Sequence, residues 1–296
     1  MPREAKKEYP AMTTVLTPDQ TAEFEGQGFL ILPAVFRPDE VAAMAREADR
    51  LLELAINSSL ATGERNPRCD LSVTADGRLD FRKLQPVNDL SEIIRAASAD
   101  ERLIAPLRQL MGGQEPILME EKLNYKQKID CPAFVKKFEP RPGAAGFALH
   151  HDWGYYRAQG YPPETLSSSV TIDATTPQNG PIRVIPGTHL QDYPLKRPDP
   201  ASGDGEVLEG LFDPEDRVDV LAPAGSVLFF HSKLLHDSKP NATQRPRRLM
   251  IYSHYPGNWR FEEDRRNRRG RELGQHVEQA YREKVAQGEY QDLFAL

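Results

Sequence analysis

Gly225-Ser226-Val227-Leu228-Phe229-Phe230-His231-Ser232-Lys233-Leu234-Leu235-His236-Asp237-Ser238 leads through Lys239-Pro240-Asn241-Ala242-Thr243-Gln244-Arg245-Pro246-Arg247-Arg248 into Leu249-Met250-Ile251-Tyr252. The run from Val227 to Phe230 is apolar at consecutive positions and is opened by a glycine, the pattern of a strand buried on both faces. The polar, proline-containing middle reads as a turn, and Leu249–Tyr252 as the returning strand. The same texture spreads outward from this segment. Ile117–Lys128, Phe134–Phe138, Ala148–His151, Ser167–Ile172, Ile182–Ile185, Ser226–His231 and Arg248–His254 are all short runs bounded by Gly or Pro. Many short strands in one half of a chain predict an antiparallel sandwich or barrel.

The N-terminal part has helical period instead. Thr17-Pro18 starts a helix that ends near Gly26-Gln27-Gly28, Phe29–Leu32 reads as a short strand, and Arg37-Pro38-Asp39-Glu40 opens a second helix. That helix carries Val41, Met44, Ala45, Ala48, Leu51, Leu52 and Ala55 at the spacing of a face packed on a sheet. Residues 57–86 are polar and predict a long loop with at most one strand pair. Two further helices are expected over Ser91–Ala97 and from Ser98 to Met111, stopped by Gly112-Gly113. Leu190 to Asp219 reads as a surface excursion. The charge-dense tail from Arg260, with Glu262, Glu263, Asp264, Arg265, Arg266, Arg268, Arg269 and Arg271, reads as a solvated helix.

The 296 residues carry 38 Lys+Arg against 44 Asp+Glu, a formal charge of −6 that argues against a nucleic-acid partner. No run approaches the ~18 consecutive apolar residues of a membrane span. The charged start and the two cysteines, Cys69 and Cys131, make the cytosol the expected address.

Two of the seven histidines fall in His150-His151-Asp152. On a strand, residues i and i+2 share a face, so His150 and Asp152 converge while His151 points away. A third ligand from a distant strand would complete two imidazoles and one carboxylate, the facial set of non-haem Fe(II) oxygenases. His231 and His236 are both candidates. His236 heads the turn that ends at Arg247, which brings the two side by side at one mouth of a barrel, where Arg247 offers a planar fork to a carboxylate. His231 reads as a packed residue. Trp153, Tyr155 and Tyr156 either pack in the core or line the mouth of the pocket.

Four stretches, Leu16–Val41, Leu149–Tyr155, Asn179–His189 and Gly225–Arg248, together resemble the phytanoyl-CoA dioxygenase family of Fe(II)- and 2-oxoglutarate-dependent oxygenases. The resemblance implies a double-stranded β-helix, or jelly roll, buttressed by N-terminal helices. It makes His150, Asp152 and His236 the iron ligands and Arg247 the partner of the distal carboxylate of 2-oxoglutarate, with Ser238, Lys126 and Asn124 beside that cosubstrate and Glu120 facing substrate. Ser169 stands where the family often has an aromatic. Related halogenases carry Gly or Ala at the carboxylate position, so Asp152 implies an oxygen-dependent outcome such as hydroxylation.

The implied reaction consumes O2 and releases succinate and CO2 while hydroxylating a C–H bond of a small organic metabolite. The chain is expected to be one oxygenase domain: 1–115 mainly helical buttress, 116–256 jelly-roll core and 257–296 charged helical tail. An acyl-CoA substrate, a catalytically silent cupin-like binding protein and a structural Zn²⁺ site are the alternatives. The last fits poorly, because closed zinc sites favour four Cys-rich ligands.

Overall fold

The computed structural model describes residues 15–143, 146–196, 206–207, 211–260 and 268–296. Helix α1 (Pro18–Gln27) starts on a capping box, with the Thr17 hydroxyl accepting from the Gln20 amide and the Gln20 side chain accepting from the Thr17 amide. Strand β1 (Phe29–Leu32) follows, then α2 (Pro38–Thr62), β2 (Cys69–Val73), β3 (Leu79–Leu84), α3 (Glu92–Ser98), α4 (Glu101–Leu110) and β4 (Pro116–Ile129). Next come α5 (Pro132–Phe138), β5 (Phe147–His150), α6 (Trp153–Tyr156), β6 (Leu166–Thr171), β7 (Ile182–Val184), β8 (Leu195–Lys196) and β9 (Glu206–Val207). The chain finishes with β10 (Val218–Asp219), β11 (Val227–His231), β12 (His236–Ser238), β13 (Leu249–Pro256) and α7 (Arg268–Ala286).

Seven strands form the larger sheet in the order β1-β11-β6-β13-β4-β3-β2, and four form the smaller in the order β10-β7-β12-β5. Every pairing within the two sheets is antiparallel. The fold is a jelly roll with flanking helices, as the family resemblance implies and in keeping with the antiparallel sandwich or barrel that the strand-rich half of the sequence predicts. Strand β13 shows how alternation builds it. Leu249 and Ile251 join Val184, Val220, Leu228 and Phe230 between the sheets, while Met250 and Tyr252 face the helices with Leu51, Leu52 and Ile56 of α2. Tyrosine hydroxyls tie the layers together: Tyr125 donates to the Ala48 carbonyl and Tyr252 to that of Ile94, both at 2.7 Å.

The family-like stretches meet through glycine. A Cβ on Gly28 (φ +80°) would lie 2.4 Å from Nδ1 of His189, so this glycine lets the Asn179–His189 segment close on the N-terminal strand.

Three expectations fail. Phe134–Phe138 is helix, not strand: Pro132 occupies its first turn, and Phe134 and Phe138, four apart, pack at 4.6 Å between centroids. The polar Asn57-Ser58-Ser59 is not the start of a loop, because α2 runs on to Thr62. These residues are buried under the C-terminal segment, with Ser58 and Ser59 donating to the Ala55 carbonyl and Asn57 to that of Phe294. The expected strand pair within 57–86 is β2–β3. Helix α7 is not merely solvated. Its Glu278 is buried and lies 2.9 Å from Nε of the fully covered Arg68, which also grips Asp89 at 2.7 Å. Residues 262–266 of the charged tail lie outside the described residues.

Candidate active site

His150 closes β5 and stands directly across the ladder from His236, the first residue of β12. The chain then leaves the strand, so Asp152 does not share a strand face with His150 as the i, i+2 spacing suggests. It caps α6, and the turn, held by Trp153 N–H donating to the Ser232 carbonyl at 2.8 Å, swings its carboxylate back. Asp152 Oδ1 lies 3.8 Å from His150 Nε2 and 3.9 Å from His236 Nε2. The donor atoms of the three residues all lie within 4.8 Å of one another, close enough for one ion.

Both rings are oriented from behind. His150 Nδ1–H donates to the Ala148 carbonyl at 2.7 Å and His236 Nδ1–H to the Leu234 carbonyl at 3.0 Å, which leaves each Nε2 lone pair toward the cluster. Burial, reinforced by the neighbouring His236, pushes His150 down to about 3, so its imidazole is neutral and available as a ligand at neutral pH. His151 is structural: its Nδ1 accepts from Gly154 N–H and its Nε2–H donates to the Tyr193 carbonyl. His231 accepts from Lys233 N–H at 3.1 Å and stands outside the cluster.

The cluster opens on a cavity of about 390 Å³. Arg247 lines it and is 1% exposed. Its Nη2 donates to the Gly180 carbonyl at 3.0 Å, but Nε and Nη1 are buried with no hydrogen-bond partner among the described residues. Burial lowers its pKa only to about 10, so the fork is cationic at neutral pH. A buried cationic fork with two unmatched nitrogens on a cavity fits a carboxylate that the protein itself does not supply. The two imidazoles and one acid fit a divalent iron with open positions. The residues present therefore suit both Fe(II) and 2-oxoglutarate.

Ser238, Asn124, Glu120, Tyr155 and Tyr156 also line the cavity. Glu120 accepts from Lys122 Nζ at 2.7 Å, Gln85 Nε2 at 3.0 Å and Tyr156 O–H at 3.2 Å. Lys126 stands elsewhere than the resemblance implies, and of the two places open to Trp153 the structure gives packing. Lys126 does not line the cavity; its Nζ lies behind Arg247, donating to the carbonyls of Gly180 and Lys239, and burial with the adjacent Arg247 charge brings it down to about 6. Trp153 packs with Met119, Tyr161 and Tyr255 instead, with the Arg157 guanidinium 5.4 Å from its ring centroid. Ser169 is buried on β6 opposite Ile251 and does not line the cavity.

Sequence reasoning missed Gln85, Lys83, Lys122 and Gln159 in the lining. Lys122 was legible in principle, since it alternates with Glu120 and Asn124 on one strand face. Gln85 and Gln159 lie outside any strand and carry no periodic signal.

An antiparallel jelly roll holding two histidines and an aspartate beside a buried, unmatched arginine defines the non-haem iron, 2-oxo-acid-dependent oxygenases. The sequence model of the family described as Phytanoyl-CoA dioxygenase (PhyH) matches residues 24–249, and the chain belongs to that family. It is 28% identical over 247 residues to the ectoine dioxygenase of Halomonas elongata, a match covering 78% of this chain and 68% of the relative. The ectoine dioxygenase of Sphingopyxis alaskensis is 29% identical over 253 residues, covering 79% of this chain and 74% of the relative. Crystal structures of EctD from S. alaskensis superpose at 25% identity. One has bound Fe, with TM-score 0.60 over 84% of this chain and 79% of that one. The other has 2-oxoglutarate and 5-hydroxyectoine, with TM-score 0.59 over 83% and 78%. The protein is a non-haem Fe(II)- and 2-oxoglutarate-dependent dioxygenase that acts on a small molecule with O2. No described helix is long and apolar enough to cross a membrane.

Proposed function

We propose that His150, Asp152 and His236 hold Fe(II), and that Arg247, with Ser238 and Asn124, receives 2-oxoglutarate in the cavity they line. Lys126 belongs to the same cosubstrate site from behind, anchoring the Gly180 carbonyl that Arg247 also grips. When bound, the iron and 2-oxo acid supply the oxidising chemistry, with succinate and CO2 as coproducts. The protein's part is placement. Arg247 neutralises and orients the cosubstrate's far carboxylate, the imidazoles present their Nε2 atoms from fixed rings, and the covered walls exclude water.

The substrate we infer is a free, polar metabolite, read by Glu120, Lys122, Gln85, Tyr155 and Tyr156. Trp153 acts on it only through the packing of Tyr155 and Tyr156. A cavity of about 390 Å³ is of small-molecule size. The ectoine dioxygenases among the relatives support the same class. A coenzyme A thioester is less well served. The lysines at the cavity, Lys83 and Lys122, already face Asp70 and Glu120, at 3.6 and 2.7 Å. Residues 1–296 form one oxygenase domain in this reading, supported by β1 joining β11 and by α7 locked onto Arg68. A cytosolic setting is part of the proposal, supported by the two buried, unpaired thiols.

The convergence of three metal-type donors beside an unmatched buried arginine carries the reading. Succinate release measured with Fe(II), 2-oxoglutarate, O2 and a panel of ectoine, related zwitterions and acyl-CoA thioesters tests it. The expected result is release that needs all three cofactors and is stimulated by zwitterions. Stimulation by thioesters alone overturns the substrate class. Cosubstrate binding without turnover across the panel overturns the catalytic reading in favour of a silent binding protein.

A further inference from the structure

The strand that carries His236 is weakly specified by its own ladder. Strand β12 is three residues long; it pairs in register with β7 at all three, but its pairing with β5 slips register between His236 and Ser238. Such a strand has few backbone hydrogen bonds to set the direction of its side chains. A side-chain clamp lies at the same level. Asp237 stands across from Arg183 of β7, and its carboxylate accepts from Arg183 Nε and Nη2, both at 2.6 Å, and from Arg217 Nε at 3.0 Å. Arg217 directly precedes β10 and is itself steadied by donating from Nη1 to the Asp213 carbonyl at 3.1 Å. Asp237 is 6% exposed, and both guanidiniums are largely covered.

Three charged hydrogen bonds therefore join β12, β7 and the entry to β10 across the smaller sheet, next to a candidate iron ligand. With two guanidiniums on one carboxylate, Asp237 is committed to the clamp and is not a fourth metal donor. A bidentate fork fixes orientation as well as distance, which a point charge would not.

We propose that Asp237, clamped by Arg183 and Arg217, is a positioning residue for the metal centre. It holds the backbone at His236 so that the imidazole, steered by the Leu234 carbonyl, presents Nε2 at the spacing Asp152 and His150 require. The inference rests on His236 being an iron ligand.

The test is anaerobic Fe(II) titration of the full chain without 2-oxoglutarate, alongside the thermal midpoint of the metal-free protein. Asp237→Asn preserves shape but turns one carboxylate oxygen into an amide that faces arginine N–H donors. Its Fe(II) affinity is expected to fall 10- to 100-fold, the usual range for losing a partner that orients a ligand. Arg183→Gln is expected to fall similarly, and the double variant no further than the weaker single, because all three remove one device. A role in stability alone would lower the metal-free midpoint and leave affinity within twofold of the unaltered chain, and that result overturns the inference. Should Asp237→Asn fail to fold, Arg217→Gln, which removes only the single outer bond, is read instead. A smaller loss of affinity supports the clamp, and unchanged affinity overturns it. Failure of the unaltered chain to bind Fe(II) overturns the site reading beneath it, a different outcome from tight binding that the variants do not disturb.

Discussion

Replacing Arg247 with methionine separates two effects of opposite sign. The side chain is 1% exposed, keeps one hydrogen bond, to Gly180, and leaves Nε and Nη1 unmatched. In the protein without cosubstrate it is a buried charge with no carboxylate in contact among the described residues. Desolvating such a charge costs several kcal/mol, and replacement by an apolar side chain of similar volume is often neutral or stabilising. The unliganded variant is therefore expected to unfold no lower than the unaltered chain. With 2-oxoglutarate the sign reverses. Removing one partner of a buried charged pair costs about 2–5 kcal/mol of binding, a rise in KM of about 30-fold to several-thousand-fold. In thermal unfolding, cosubstrate at 100 times its native Kd should stabilise the unaltered chain by about 2.7 kcal/mol and the variant by less than about 1 kcal/mol. Succinate release gives KM independently. A variant that kept both its KM for 2-oxoglutarate and the cosubstrate-dependent stabilisation would refute the assignment of Arg247 to the carboxylate.

Asp152→Ala removes the only acid of the cluster and is expected to abolish hydroxylation and weaken Fe(II) binding, read by succinate release and metal titration. Gly180→Ala is expected to lose about 1–3 kcal/mol of stability and to raise the KM for 2-oxoglutarate. Its φ is +68°, and a Cβ would lie 2.3 Å from the Lys239 carbonyl oxygen and 2.9 Å from Lys126 Nζ, displacing the carbonyl that Arg247 and Lys126 share. Thermal midpoints with and without cosubstrate measure both parts. Burial lowers His231 to about 3 and His254 to about 4, so both are neutral in the native chain at pH values where free imidazole, near ~6.5, takes up a proton. Their contribution is complete above pH ~6.5 and is lost as pH falls toward 4, at up to about 1.4 kcal/mol per pH unit for each. Urea unfolding between about pH 7 and 5 should show that slope, and His254→Phe should flatten it.

The sequence by itself determined the class of fold and made the candidate metal ligands legible. Consecutive apolar positions at Val227–Phe230 and Leu249–Tyr252 can only be buried on both faces, and capping residues such as Thr17 and Ser91 place helix starts by local hydrogen bonding. These are nearest-neighbour facts, which is why they are legible. His150, Asp152, His236 and Arg247 were likewise visible, because few side chains can do their chemistry.

Tertiary structure alone decided the rest. Phe134 and Phe138 satisfy an alternating pattern about as well as a helical one over so short a run, and Pro132 with the core around Phe134 resolved it. Asn57-Ser58-Ser59 looks solvent-facing until the C-terminal segment, more than two hundred residues away, covers it. The route of Asp152 back to the cluster, the retreat of Lys126 behind Arg247, and the clamp on Asp237 all depend on contacts between strands distant in sequence. Such contacts are set by how two sheets close on each other, and no local pattern encodes that closure.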